Sequence, residues 1–186
     1  MRELALNILD IVMNAVEAGA SRIIVAIDER ASANRLCVRI RDNGRGMSEE
    51  MVQRVLDPFV TTRTTRSVGM GLSMFRQIAR QCGGDLTIQS QLGRGTLVTT
   101  MFQLDSLNRP PIGDMAESLV NLILGSLDVH FYYAHHTDDG AFGFDSFWLF
   151  SRMAEQDCQI LALAGPAKIY IKERLKSIAS KAVSSN

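Results

Sequence analysis

Polar positions recur at intervals of three, four and three residues near the start of the chain: Asn7, Asp10, Asn14 and Glu17. That spacing places all four on one face of a helix. Around them Leu4, Ile8, Leu9, Ile11, Val12, Ala15 and Val16 are apolar and call for burial. A solvated stripe favours long Lys and Glu side chains. This one holds short amides and carboxylates, which suit metal, water and phosphate better. Ala18-Gly19-Ala20 turns the chain, and the patterns of residues 22–28 (RIIVAID) and 36–41 (LCVRIR) predict two strands joined through the polar residues 29–35, a hairpin. Ser48 opens a short helix through Val55, stopped by Pro58. Residues 60–68 have no hydrophobic period and are expected as a Thr/Arg loop. Residues 71–82 are an amphipathic helix closed by Gly83-Gly84, and residues 86–90 and 96–104 predict two further strands joined by 91–95. This order of elements predicts a two-layer α/β sandwich, with antiparallel strand pairs in one sheet and helices on one face.

Pro110 and Pro111 lie in the best candidate boundary, so residues 1–104 are expected as one domain, 105–113 as a linker and 114–186 as a small α+β appendage. In the appendage the pattern predicts a helix over 114–124 and a hairpin of 129–134 with 141–144 across Asp138-Asp139-Gly140. A helix from Asp145-Ser146, a short strand over 159–164 and a basic amphipathic helix opened by Pro166 and running to about Ala182 complete it.

Composition narrows the classes. The chain has 186 residues, 46% hydrophobic and 22% charged, which is globular rather than disordered. Twenty basic and twenty acidic residues give zero formal charge, so no footprint for nucleic acid or an anionic membrane is expected. Cys37, Cys82 and Cys158 form no CxxC pair and are expected as buried reduced thiols. Charges inside the first ten residues argue against a signal peptide, and Asn121 and Gly125 interrupt the longest apolar run. A cytoplasmic protein is expected.

Three segments carry candidate chemistry. Asp42-Asn43-Gly44-Arg45-Gly46-Met47 follows a strand, where a carboxylate can accept a hydrogen bond from an exocyclic amine such as N6 of adenine. Gly44 and Gly46 would let backbone approach a flat base. Gly69-Met70-Gly71 opens a helix, a natural phosphate cradle that alone is as readily a plain loop–helix junction. Thr61, Thr62 and Arg63 offer hydroxyls and a guanidinium to a phosphate tail, or form a solvated loop; both hold for a lid.

In this order and spacing the set resembles the ATP-binding domain shared by histidine kinases, gyrase-type topoisomerases, mismatch-repair ATPases and heat-shock chaperones, the GHKL superfamily. LDIVMNAVEAGASRI looks like the mismatch-repair version of its N-box and RIRDNGRGM like its first glycine box. DPFVTTR, GMGLSM and GGDLTIQSQLGRGTLVTTMF are closer to the histidine-kinase version, and the likeness covers roughly residues 2–103. The resemblance implies the Bergerat fold, with a mixed, largely antiparallel sheet, and ATP with Mg²⁺ as cofactors. It implies that Asn14 ligands Mg²⁺ and that Asp42 binds adenine beside Gly44, Gly46 and Met47. Gly69 and Gly71, flanked by Met70 and Leu72, would contact phosphates, and Thr96 would support adenine through water. Asp10 occupies the position of a catalytic glutamate and could orient a nucleophile for in-line attack. Two departures stand out: Asp10 is one methylene shorter than that glutamate, and Glu17 replaces a frequent cation, leaving Arg63 or Arg66 to neutralise phosphate.

About thirteen residues precede Asn14, too few for a histidine kinase's dimerising hairpin, so a stand-alone module is expected. His130, His135 and His136 lie in the appendage. His135 and His136 are expected at a polar hairpin turn, and without ligand spacing a metal or phosphoacceptor role is the lesser reading. Asn7 has no family counterpart and reads as polar surface. The expectation is a Mg-ATP-binding protein acting as a slow ATPase or protein kinase on an unidentified protein partner. The alternative is a non-catalytic ATP-dependent switch, anti-sigma-like or an enzyme-maturation accessory factor. No nucleic-acid or membrane partner is expected, and the oligomeric state stays open, a homodimer included.

Overall fold

A computed structural model describes residues 3–56, 70–156 and 160–178, without the side chains of 70, 152–156 and 160. Its elements are α1 (Leu4–Glu17), β1 (Arg22–Arg30), β2 (Arg35–Asp42), α2 (Glu49–Val55), α3 (Met70–Gln81), β3 (Leu86–Gln91), β4 (Gly95–Gln103), α4 (Met115–Gly125), β5 (His130–His136), β6 (Ala141–Asp145), α5 (Ser146–Gln156) and α6 (Ile160–Ser177). The strands form one sheet in the order β3-β4-β2-β1-β5-β6. Four neighbouring pairs are antiparallel, and β1 with β5 is parallel.

Alternation decides which face is covered. Ile23, Val25 and Ile27 of β1 are buried, and their partners in register on β5 are Phe131, Tyr133 and His135, also buried. On the other side the same rows continue through Ile40 and Val38 of β2 to Val98 and Thr100 of β4. Helices cover this face, and one hydrophobic core runs from Leu4 and Phe75 to Ile171 and Leu175. The opposite face, including Arg39, Arg41 and Tyr132, is open to solvent. The α/β sandwich expected from the sequence is therefore present.

The hairpin of β5 and β6 extends the sheet beyond β1, and residues 111 and 112 are tied to the first helix. The carbonyls of Pro111 and Ile112 accept from the Leu4 and Ala5 amides at 2.9 and 2.8 Å. Two of the unpaired N–H groups of a helix start are thereby satisfied.

Three expectations are corrected. Residues 160–164, read as a strand, are the first turn of α6, and Pro166 sits inside that helix instead of opening it. A short run of Leu and Ala carries no period that separates strand from helix, and its helix propensity prevails. His135 lies not at the turn but within β5, fully buried: Tyr133 Oη hydrogen-bonds its Nδ1, and Glu29 Oε1 lies 2.7 Å from its Nε2. Asn7, read as surface, is only 5% exposed, because the polar stripe borders the buried arc of α1 and Asn7 falls on its inner edge. Cys37 and Cys82 are buried and free. Among the described residues no helix is long and apolar enough to cross a membrane.

Candidate functional site

A cavity of ≈ 370 Å³ opens between α1, the end of β2, α3 and β4. Its size falls within the range of small-molecule sites. Asn14 of α1, Asp42 at the end of β2, Gly46 and Met47 of the following loop, Leu72 of α3 and Thr96 of β4 all line it. Ile11, Met51, Val55 and Val98 make its walls apolar, as a flat heterocycle requires. Asn14 is partly buried and Glu17 exposed. Asp10 stands one turn from Asn14, also exposed, beside the start of α3: a Cβ on Gly71 would lie 3.4 Å from the Asp10 Cβ.

Asp42 is the acidic group that lines the cavity. Its Oδ1 accepts the Gly44 amide at 2.8 Å. Burial raises its carboxyl above the ordinary value, and the Gly44 and Thr96 amides offset only part of that. The next residue, Asn43, fixes the loop. Its Oδ1 accepts the Ser21 and Arg22 amides at 3.0 and 2.8 Å, and its Nδ2 donates to Ser21 Oγ at 2.9 Å.

The glycines serve contacts within the protein. At Gly46, φ is +66° and a Cβ would lie 2.0 Å from the Gln91 carbonyl oxygen; at Gly95, φ is +95° and a Cβ would lie 2.1 Å from that of Asp42. The loop after β2 and the turn between β3 and β4 are thus interlocked. The Gly93 amide donates to the Arg45 carbonyl at 2.8 Å, and the Met47 amide to Ser90 Oγ at 2.8 Å. Ser90 Oγ also lies 3.0 Å from the Gly95 carbonyl and 2.9 Å from Thr96 Oγ1. Gly44 does not line the cavity; it packs under Ala18, where a Cβ would meet the Ala18 carbonyl at 3.0 Å.

Of the residues singled out from the sequence, Asn14, Asp42, Gly46, Met47, Leu72 and Thr96 share the cavity, and Asp10 and Gly71 meet beside it. Thr61, Thr62, Arg63 and Gly69, with the expected lid over 60–68 and Arg66, lie outside the described residues, as does the side chain of Met70. Sequence reasoning missed Arg45, which lines the cavity, and Ser90, which joins the two loops. Arg45 stood between the two noted glycines, and Ser90 pairs in register with Thr96.

Sheet, helices and cavity together are those of a nucleotide-binding α/β sandwich. The chain belongs to the family described as histidine kinase-, DNA gyrase B-, and HSP90-like ATPase, whose model matches residues 2–106. It is similar to a sensor protein of Shewanella frigidimarina, 34% identical over 99 residues, covering 52% of this chain and 15% of that protein. Sporulation kinase C of Bacillus subtilis is 28% identical over 98 residues, covering 53% and 23%. The chain thus spans less than a quarter of the length of these relatives. Among solved structures, the N-terminal domain of a DNA repair protein covers 78% of this chain and 52% of its own, with a TM-score of 0.51 and 13% identity. That likeness bears on the fold alone. Family membership supports nucleotide binding.

Proposed function

We propose that the chain binds Mg-ATP in this cavity and acts as a slow ATPase or protein kinase on a partner protein. The observation that carries the reading is the meeting of Asp10 with Gly71 at the start of α3, one turn from Asn14. A helix start is where phosphates settle, and a carboxylate beside it can receive a proton from an attacking hydroxyl or water.

The residues fit the ligand. Asp42 offers a desolvated acceptor to the adenine amine between apolar walls. Asn14 presents a carboxamide oxygen, a hard donor suited to Mg²⁺. Among the described residues no three His, Cys, Asp or Glu groups gather to hold a metal. A single protein ligand is compatible with magnesium, which keeps its waters and binds chiefly through phosphates. Bound there, the ion would neutralise phosphate charge.

One observation favours the second reading, a non-catalytic switch. Among the described residues no hydrogen bond or ion pair orients the exposed Asp10 carboxylate, whereas a working base is normally held by a third group.

The two readings separate when the protein is incubated with γ-labelled ATP, alone and with cell lysate. Label on one protein is a kinase, free phosphate is an ATPase, and tight ATP binding with neither is the switch. Asp10→Ala is expected to lower turnover by about 100-fold or more; unchanged turnover removes Asp10 from the chemistry. Asn14→Ala should abolish the magnesium dependence of nucleotide affinity.

A further inference from the structure

A second recess, ≈ 400 Å³, is lined by the ends of β2, β3 and β4 and the turn between β3 and β4. Arg41 of β2 and Arg94 of the turn line it, with Gln89 and Gln91 of β3. Five other arginines among the described residues are matched to carboxylates. Arg30, Arg35 and Arg39 gather on Asp28 at 2.7, 3.7 and 3.9 Å, and Arg76 and Arg80 on Asp85 at 2.9 and 3.2 Å. Arg41 and Arg94 have no ion-pair partner among the described residues. The acid that borders the recess, Asp42, has Oδ1 committed to the Gly44 amide and also lines the nucleotide cavity.

We infer that this recess is a second ligand site, which takes an anionic group, carboxylate or phosphate, between Arg41 and Arg94. Guanidinium forks match both oxyanions, and the carboxamides of Gln89 and Gln91 add neutral donors. The two sites share a wall. Asp42 and Thr96 line both, and Ser90, which lines the recess, holds the Met47 amide of the nucleotide cavity at 2.8 Å. The turn that carries Arg94 is locked to the loop after Asp42 at Gly46, Gly93 and Gly95. An anion drawing Arg94 and Gln91 toward Arg41 therefore acts on the loop that shapes the nucleotide cavity, and occupancy of one site changes affinity at the other. This coupling, unlike the anion site itself, rests on the nucleotide reading above.

The test is calorimetric titration of the full chain without nucleotide, at about 0.15 M ionic strength, where loose surface attraction is screened. Three probes are used: tricarballylate for a free polycarboxylate, inorganic phosphate for a phosphate group, and a tetraglutamate peptide for an acidic segment. At least one is expected to saturate. Arg41→Gln and Arg94→Gln should each weaken it by about tenfold or more, with thermal melts showing that both variants fold, while Lys176→Gln on α6 changes nothing. The probe that saturates identifies the source. The site is overturned if no probe saturates, or if both arginine variants bind as the wild type does. Titrating a non-hydrolysable ATP analogue with and without the probe should then give the same factor of change in both directions. A retained anion site with unmoved analogue affinity overturns the coupling alone, and an anion site in a chain that fails to bind the analogue overturns the nucleotide reading instead.

Discussion

Asp42→Asn is the sharpest probe of the proposed nucleotide site, because the hydrogen bond to the Gly44 amide dictates how the substituted side chain must sit. The carboxylate presents only acceptors. Its Oδ1 already takes the Gly44 amide at 2.8 Å. An asparagine would keep its single oxygen on that amide, since a buried N–H without a partner is costly. Its NH₂ group would then face the cavity and oppose the adenine amine, donor against donor. Losing a hydrogen bond to a charged acceptor costs about 1.5–3 kcal/mol, so affinity for an adenine nucleotide should fall roughly 10- to 150-fold. Guanine carries a carbonyl where adenine carries the amine, so a guanine nucleotide should lose far less and the preference should narrow or invert. Calorimetric titration of ADP and GDP into both proteins measures this. A pH series adds a second reading. Burial holds the Asp42 carboxyl above its ordinary value, so wild-type affinity should fall as pH drops through that raised pKa and the accepting anion is lost. The asparagine variant should show no such step. If ADP binds both proteins alike, Asp42 does not read the base and the orientation argument is wrong.

Gly46→Ala places a Cβ 2.0 Å from the Gln91 carbonyl oxygen at a φ of +66°. It should destabilise by about 3 kcal/mol or more, lowering Tm by roughly 6–12 °C. Gly93→Ala, at a φ of +73° with open space around it, should cost only about 1–2 kcal/mol of backbone strain; equal losses in thermal melts would refute the interlock. The side-chain bond from Arg76, with help from Arg80 and the Leu86 amide, depresses the Asp85 carboxyl far below its ordinary value. A depressed carboxylate stabilises the fold above its unfolded pKa and loses that contribution as pH falls toward the folded one. Asp85→Asn should therefore cost about 1 kcal/mol near neutrality, since the pair is part-exposed and screened. The gap from wild type in urea melts should close as pH falls below about 4.

The first hundred residues were legible because their periods are plain. Ile23, Val25 and Ile27 alternate along β1, and Ser48 caps α2 by accepting the Met51 amide. The resemblance to the family's motifs singled out Asn14, Asp42 and Thr96, which line one cavity. The reasons behind other positions were not local. Gly46 looks like room for a base, whereas the backbone it accommodates belongs to the facing turn, as the backbone at Gly95 belongs to the facing loop. His135 looked like a turn residue because the alternation of β5 was ended two positions early. Its inward position depends on register with β1 and on Glu29, 106 residues upstream. No window of sequence contains both groups.

The same non-local pairing bears on how the site is held. β1 is an interior strand, hydrogen-bonded to β2 on one edge and to β5 on the other. Its start is tied to the loop that carries the site: the Arg22 carbonyl accepts the Asn43 amide at 3.3 Å, and Asn43 Oδ1 accepts the Ser21 and Arg22 amides. The Ser21 carbonyl accepts the His130 amide of β5 at 2.9 Å. A continuous set of backbone and amide bonds thus runs from β5 through Ser21 to Asn43, next to Asp42. With Ser21 and Arg22 held between β5 and the loop, the position of the Asp42 carboxylate depends on strand register set by the second half of the chain, not on the glycine motif alone.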